Sequence, residues 1–281
     1  MRSGVNLCIW DAPFRTSEHL QLFETVATYG GQVIEIVAEE DAEIDSAAIR
    51  REIHNNSLSL AVIGIIDATV DLSSTDTSVR SAGVEKLKYY VNLCDDLGSD
   101  LLSVTLGFAG GKHLLEGNAR DSRIQYIADC LRAIGDLARS AGVRIAYEVL
   151  NRYETNLINT ASQAMELIRI VDHPDVGVHL DCFHMALEED DQGDAIRSVG
   201  DKLYHLHANA SHRGVPGRGL NDWQSIGQSL RDVQYSGYIV FESFNRYSWL
   251  GPAGHIWRPL ADSPDTLARE GLDFLHKVLG E

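Results

Sequence analysis

Four residues whose side chains bind divalent cations stand at comparable places in the second half of the chain: Glu148, Asp181, His207 and Glu242. Each lies at or near the end of a short apolar run. Carboxylates with one imidazole suit Mg²⁺, Mn²⁺ or Co²⁺ better than structural zinc, which prefers sulfur and more histidine. One such acid alone is most simply a solvated charge, but four at corresponding places require a shared partner. The set therefore predicts one divalent-cation site.

Two neighbouring histidines accompany these residues. His205 and His207 alternate along one apolar run, so both side chains face the same side of a strand. His207 is nearer the end of the run and is the predicted ligand, whereas His205 is expected to be a hydrogen-bonded histidine below it. By the same reasoning His179 lies below Asp181. Cys182 follows directly and should point away, which predicts a packing residue and not a nucleophile.

The elements that must position these residues alternate regularly along the chain. Longer helical patterns follow short apolar runs, as in a parallel sheet buried on both faces. The apolar runs cover residues 5–10, 33–37, 60–66, 101–106, 144–149, 176–181, 203–208 and 238–242. Helical patterns are clear at residues 76–97, 122–141, 161–171 and 266–279. We predict an α/β fold, a single (β/α)8 barrel domain over residues 1–281, with a doubly wound open sheet as the alternative.

In such a barrel, catalytic groups occupy the C-terminal ends of the strands, because the loops there surround the mouth. Four consecutive strands would then each deliver one cation ligand to the same end of the barrel.

Composition limits the partners of the chain. The formal net charge is −17 over 281 residues, which argues against nucleic acid or an anionic membrane as a partner. The four cysteines form no Cys-x-x-Cys pair, as expected of reduced thiols in the cytoplasm. We find neither a signal-peptide pattern in the first 14 residues nor an apolar stretch of about 18 residues. These features predict a soluble cytoplasmic enzyme, and composition alone does not identify its reaction.

Characteristic motifs surround the candidate ligands. They are Glu148-Val149-Leu150-Asn151-Arg152-Tyr153-Glu154, then Leu180-Asp181-Cys182-Phe183-His184-Met185, then His205-Leu206-His207 with Arg213 and Pro216-Gly217-Arg218-Gly219, then Phe241-Glu242-Ser243-Phe244, and a late Ile256-Trp257-Arg258. In combination they resemble the D-tagatose 3-epimerase family, which includes D-psicose (allulose) and L-ribulose 3-epimerases within the xylose-isomerase-like TIM barrels.

The resemblance implies a metal-dependent isomerase. The four candidate ligands would hold one divalent cation per subunit, with Mn²⁺ expected and Co²⁺ or Mg²⁺ as alternatives. Glu154, His184 and Arg213 would hold a free ketose around its carbonyl end. Glu148 and Glu242 would also exchange the proton at C3 through a cis-enediolate intermediate. The family resemblance further suggests a homodimer or homotetramer.

Several positions depart from the family pattern. Ala210 and His212 occupy a stretch where the family often has a glutamate and an asparagine, and Ser243 stands where proline is common. A familiar tryptophan is absent near Phe108. The glycine-rich stretch 106–113 lacks the spacing of a P-loop, and it suggests a loop at the mouth and an unphosphorylated sugar. These departures leave the identity of the sugar open.

Other functions share parts of this pattern. An aldose–ketose isomerase of the hydroxypyruvate-isomerase type would return the proton to a neighbouring carbon. A keto-sugar or keto-inositol lyase or dehydratase would expel a leaving group. An endonuclease IV-type enzyme would want more histidine ligands and a basic rim, and a non-catalytic sugar-binding barrel would not need two carboxylates around a cation. Two local alternatives also stand. Glu154 is either a solvated acid or a partner of Arg152, and the stretch 244–252 either covers the mouth or contacts another subunit.

Overall fold

The computed structural model of the chain describes residues 1–106 and 114–279. Eight parallel strands close into a barrel, in which each strand pairs with the next along the chain and the eighth pairs with the first. They are β1 (Arg2–Asn6), β2 (Val33–Val37), β3 (Ser59–Ile65), β4 (Leu101–Thr105), β5 (Arg144–Glu148), β6 (Val176–Asp181), β7 (Leu203–His207) and β8 (Tyr238–Phe241). The closed order confirms the predicted (β/α)8 barrel and excludes the doubly wound sheet.

Helices follow the strands and surround the barrel. They are α1 (Thr16–His19), α2 (Leu22–Thr28), α3 (Ser46–Asn55), α4 (Thr77–Leu97), α5 (Asn118–Ser140), α6 (Ala161–Val171), α7 (Cys182–Glu188), α8 (Gln192–Val199), α9 (Trp223–Asp232), α10 (Leu250–Ala253) and α11 (Pro264–Leu279). Short 3-10 helices cover Leu7–Ile9 and Gly200–Lys202. In the described part of the chain, no helix is long and apolar enough to cross a membrane.

Local sequence sets the ends of several helices. Thr160 caps α6 through a capping box with Gln163, and the helix has the predicted bounds. Gly98 ends α4 in the left-handed region, at a φ of 75°, as a glycine after a helix does. Two predicted starts were late: α5 begins four residues before position 122, and α11 begins at Pro264, a residue suited to the first turn because it lacks an N–H.

The prediction of the first strand was wrong. The strand is Arg2–Asn6, and the second half of the predicted run, Leu7–Ile9, forms a 3-10 helix. The Asn6 side chain accepts a hydrogen bond from the backbone N–H of Cys8 at 2.8 Å, which turns the chain out of the strand. The turn is as buried as the strand, so hydrophobicity alone does not separate the two.

Side chains alternate between two buried environments along each strand. On β2, Ile34 and Ile36 pack into the main core, whereas Val33 and Glu35 face the barrel interior. A β-bulge between β6 and β7 lies at Val178 and brings His179 opposite His205. The interior is therefore apolar at its base and carries polar side chains towards the C-terminal ends of the strands. The glycine-rich stretch predicted as a loop, apart from Leu106, lies outside the described residues.

Candidate active site

The structure brings the four candidate cation ligands to one place. Glu148, Asp181 and His207 are the last residues of β5, β6 and β7, and Glu242 directly follows β8. Donor atoms of the first three lie within 4.8 Å of one another. Glu242 Oε2 lies 3.4 Å from His207 Nδ1. All four side chains are buried, so their charges are close together in a place of little water.

Their donor chemistry fits a divalent cation. Three carboxylates and one imidazole are hard and borderline ligands of the kind that Mn²⁺, Co²⁺ and Mg²⁺ accept. His207 Nδ1 is buried and makes no well-formed hydrogen bond to the described residues. Its other nitrogen, Nε2, lies 2.8 Å from Glu35 Oε1. The imidazole is therefore held from behind, and Nδ1 faces the carboxylates.

The surroundings of the two glutamates move their pKa values in opposite directions. Loss of solvent raises the pKa of Glu148 to about 8, with the charge of Glu242 adding to the shift and that of His207 opposing it. Burial also acts to raise the pKa of Glu242, but His207 and Arg213 outweigh it and the net pKa is lowered. Two carboxyl groups of one site thus differ in their affinity for a proton. A pair of this kind can act as a general acid and a general base in the same reaction.

The histidines below the ligands are positioned as the alternation predicted. His205 Nε2 lies 2.6 Å from Glu35 Oε2, and His179 Nδ1 lies 2.8 Å from the Ser103 hydroxyl. Both rings are fully buried, and burial lowers the pKa of each. Cys182 is also fully buried, and burial raises the pKa of its thiol well above the usual value, which supports a packing role.

Arg213 reaches the centre of the site from the loop after β7. Its Nη1 lies 3.2 Å from Asp181 Oδ2 and donates a short hydrogen bond to Glu242 Oε2. The guanidinium carbon stands 4.0 Å from the ring centroid of Phe183 and 5.0 Å from that of Phe244. The two aromatic rings thus fix the plane of the Arg213 guanidinium group, and the two carboxylates fix its orientation within that plane.

The backbone of Arg213 is held in an unusual conformation. Its φ is 61°, in the left-handed region that non-glycine residues seldom adopt. The Ser243 hydroxyl donates to the Arg213 carbonyl at 2.7 Å. Ser243, one of the positions that depart from the family pattern, therefore supports the arginine from the neighbouring strand end.

The hydrogen-bond partners of His184 determine which of its two ring nitrogens carries the hydrogen. Its Nδ1 accepts from the backbone N–H of Asn151 at 3.1 Å and lies 2.8 Å from the Asn151 side-chain nitrogen. Since two N–H groups face Nδ1, the hydrogen of the neutral ring sits on Nε2. Nε2 lies 3.7 Å from Asp181 Oδ2 and 3.9 Å from Glu148 Oε1. Burial and the charge of Arg213 lower the pKa of His184 well below its usual value, so the ring is a neutral donor.

Glu154 lines the same cavity. Its Oε1 lies 3.5 Å from the Asn151 side-chain nitrogen, and burial raises its pKa despite the opposing charge of Arg213. Arg152 does not pair with it: that guanidinium binds Glu188 through two contacts of 2.9 Å. The structure therefore contradicts the alternative in which Glu154 pairs with Arg152.

Several residues of the site were missed by the sequence reasoning. Thr105, at the end of β4, donates a short hydrogen bond to Glu148 Oε2. The Asn209 amide donates to Asp181 Oδ2 at 2.9 Å and to Glu242 Oε2 at 3.3 Å. Asn209 extends the alternation of His205 and His207 by one step, so that pattern could have identified it.

The cavity has a polar side and an apolar side. The polar side is lined by Thr105, Glu148, Glu154, His184, Arg213 and Glu242. The apolar side is lined by Val37, Ile63, Ile65, Phe244 and Leu250. Phe244 and Leu250 belong to the aromatic stretch 244–252, so part of that stretch lies at the mouth, as one of its two interpretations expected.

Comparison with known proteins agrees with this geometry. The family model of the xylose isomerase-like TIM barrel matches residues 23–278. The chain is 32% identical to a D-psicose 3-epimerase of Agrobacterium fabrum, across all of both chains. It is also 32% identical to an L-ribulose 3-epimerase of Mesorhizobium japonicum, covering 98% of this chain and 93% of the relative. A solved D-psicose 3-epimerase with D-tagatose, from Clostridium cellulolyticum H10, superposes with a TM-score of 0.88 at 30% identity, over 99% of each chain.

Proposed function

Because this chain belongs to the xylose isomerase-like TIM barrel family, and within it to the ketose 3-epimerases, we propose that it epimerises free ketoses at C3. One observation carries the proposal: two buried glutamates, Glu148 and Glu242, belong to one set of cation ligands that meets at the C-terminal ends of neighbouring strands. The names of the relatives support a ketose substrate. The site supports proton exchange at a carbon next to a carbonyl group.

The proposed cation site consists of Glu148, Asp181, His207 and Glu242, with one cation per subunit and Mn²⁺ as its identity. A cation bound there would supply Lewis-acid stabilisation of the negative charge that develops when a proton leaves the carbon next to the carbonyl group. Asn209 and Arg213 hold the carboxylates of Asp181 and Glu242 in place by hydrogen bonds. These donors keep the ligand set preorganised in a buried place.

Two carboxylates on different sides of C3 are what epimerisation requires. One removes the C3 proton, and the other returns a proton to the opposite face of the enediolate. Glu148 ends β5 and Glu242 directly follows β8, so their strands are three places apart around the barrel. We assign these two residues as the acid–base pair, and either direction of the reaction uses the pair with exchanged protonation states.

The carbonyl end of the ketose is assigned to His184, Arg213 and Glu154. The Nε2 hydrogen of His184 faces the ligand carboxylates and can donate to a sugar oxygen held there. Arg213 is fixed between two rings and offers further N–H donors. Glu154 accepts from a sugar hydroxyl. This arrangement orients C1 and C2, which leaves C3 between the two glutamates.

Three further parts of the proposal rest on composition and family resemblance. They are one catalytic domain over the whole chain, a cytoplasmic location, and a homodimer or homotetramer. Light scattering after size-exclusion chromatography tests the last of these. A monomer of 31.0 kDa at micromolar concentration would contradict it.

The proposed function is tested with the Mn²⁺-loaded protein in D₂O. Free D-tagatose, D-fructose, D-psicose and L-ribulose are incubated separately and followed by NMR, with an EDTA-treated sample as the control. We expect deuterium at C3 with inverted stereochemistry, lost on chelation. Deuterium at C1 would instead indicate an aldose–ketose isomerase, and loss of water from the sugar would indicate a dehydratase.

A further inference from the structure

We propose that Glu35 is a positioning residue, which fixes the ring of His207 so that Nδ1 is presented to the cation. The inference rests on the proposed function, because it concerns the cation site of that function. Glu35 belongs to β2, whose other residues are apolar, and it is completely buried. It touches none of the other three cation ligands in any hydrogen bond of the described chain.

Three donors surround the Glu35 carboxylate. Oε1 accepts from the Asn6 side-chain amide at 2.7 Å and lies 2.8 Å from His207 Nε2, and Oε2 lies 2.6 Å from His205 Nε2. A carboxylate is an acceptor only, so each facing ring nitrogen must carry its hydrogen. His207 therefore donates from Nε2, and Nδ1 is the nitrogen left to bind a cation.

The consequence for the site is both geometric and electronic. The ring of His207 cannot turn over without giving up a buried hydrogen bond to a charged acceptor. The negative charge behind the ring also makes the imidazole a stronger donor through Nδ1. Outer partners of this kind change cation affinity about 10- to 100-fold when they are replaced.

A purely structural role for Glu35 makes a different prediction. The same carboxylate ties β1, β2 and β7 together, so its loss lowers stability in either case. Only a positioning role changes the affinity for a cation in protein that remains folded. The matched control is Ser99→Ala, which removes another buried hydrogen bond, from the Ser99 hydroxyl to the Leu60 carbonyl at 2.8 Å, and contacts neither Glu35 nor a cation ligand.

The experiment compares wild type, Glu35→Gln and Ser99→Ala. The dissociation constant for Mn²⁺ is measured by competition with a fluorescent chelator, and the melting temperature is measured in EDTA. We expect Glu35→Gln to bind Mn²⁺ about 10- to 100-fold more weakly while it still melts cooperatively. The Mn²⁺ affinity of Ser99→Ala should stay within about threefold of wild type even where its melting temperature falls. Equal affinity in Glu35→Gln and wild type overturns the inference and leaves the proposed function intact.

A second measurement needs no variant. In Mg²⁺-loaded wild type labelled with ¹⁵N-histidine, NMR of the imidazole nitrogens should show the His207 hydrogen on Nε2. A hydrogen on Nδ1 overturns the inference whatever Glu35→Gln does. Wild type that binds neither Mn²⁺ nor Mg²⁺ contradicts the cation site of the proposed function, and the inference falls with it.

Discussion

The mouth of the barrel has two unlike halves. What we call the polar half comes from β4 to β8: Thr105, Glu148, Asp181, His207 and Glu242. The apolar half comes from β2, β3 and the stretch after β8, including two residues of α10: Val37, Ile63, Ile65, Phe244, Leu250 and Ala253. Thr105, Glu148 and Glu242 line one cavity with the apolar half, and Asp181 and His207 lie buried beside them. Among these residues, only those of the polar half can exchange protons or bind a cation.

The contrast shows how the two halves depend on each other. An apolar wall opposite the carboxylates keeps water away, and charges interact more strongly where water is excluded. Burial is the largest cause of the raised pKa of Glu148. The polar half thus supplies the reacting groups, while the apolar half supplies the surroundings that displace their pKa values from those of free side chains.

The largest expected effect follows from removing a charge in the polar half. Glu148→Gln and Glu242→Gln each keep the shape of the side chain but cannot exchange the C3 proton. We expect deuterium exchange at C3 to slow by at least about a thousandfold in each variant. Glu39→Gln is the matched control, since Glu39 follows β2 on the other side and pairs with Lys86 at 3.5 Å. An exchange rate in either active-site variant close to that of the control would rule out the assignment.

A smaller effect is expected from Arg213→Lys. Lysine keeps the positive charge but lacks the flat fork that lies between Phe183 and Phe244 and reaches two carboxylates. We expect kcat/KM to fall about a hundredfold, a loss of roughly 2.7 kcal/mol. Arg197→Lys is the control, because Arg197 pairs with Asp194 and Asp232 at the exposed surface and exposed pairs contribute little. An equally small loss in the two variants would mean that the positive charge of Arg213 is enough and that the shape of its guanidinium does not matter.

The raised pKa of Glu148 gives a prediction about stability in the protein without a cation. A carboxyl group with a folded-state pKa of about 8 favours folding while it is protonated. Its contribution is present below the unfolded pKa of about 4.3 and is lost as pH rises towards 8. In EDTA, wild type should therefore lose stability relative to Glu148→Gln as the pH rises from 5 to 8. The expected change in the difference between their free energies of unfolding is on the order of 1–3 kcal/mol.

Urea unfolding at both pH values measures this difference. Parallel pH dependence in wild type and variant would show that burial does not hold Glu148 protonated. A saturating concentration of Mn²⁺ should reverse the order at pH 8, because the wild type then gains binding energy that the variant has weakened.

The two halves also differ in how far sequence could predict them. The four candidate cation ligands of the polar half were predictable because strand ends in a parallel barrel converge, and an ionisable residue at each of four strand ends stands out from apolar runs; Thr105 gave no such signal. The first strand was misplaced because a buried 3-10 turn is as apolar as a strand. The proposed roles of His184 and Arg213 came from family resemblance, because the spacing of these residues does not indicate a role.

Contacts between residues far apart in the chain could not be predicted from the sequence. Glu35 and His205 are 170 positions apart, and no local pattern states that they meet. The Ser243 hydroxyl supports the Arg213 backbone through a loop whose conformation depends on tertiary packing. Yet Glu35 had a visible signal, since it is the one charged residue in the otherwise apolar strand β2, and a buried charge needs partners.

The smallest effects come from a pair of nearly isosteric changes made in opposite halves. Thr105→Val removes a hydroxyl that donates to the Glu148 carboxylate, and a hydrogen bond to a charged group contributes about 1.5–3 kcal/mol. We expect kcat to fall about tenfold. Val37→Thr adds a hydroxyl to the apolar half, which should lower stability by about 1 kcal/mol but change kcat/KM less than about threefold.

Steady-state kinetics on one ketose, with melting temperatures of both variants, separate the two halves. If Val37→Thr costs as much activity as Thr105→Val, the apolar half also positions the sugar and is more than a water-excluding wall. If neither variant changes kcat, the Thr105 hydroxyl has no part in setting the proton affinity of Glu148. The expected result is a tenfold loss of kcat in Thr105→Val and almost no loss of activity in Val37→Thr. It would show that the polar half carries the chemistry, whereas the apolar half shapes the cavity and excludes water.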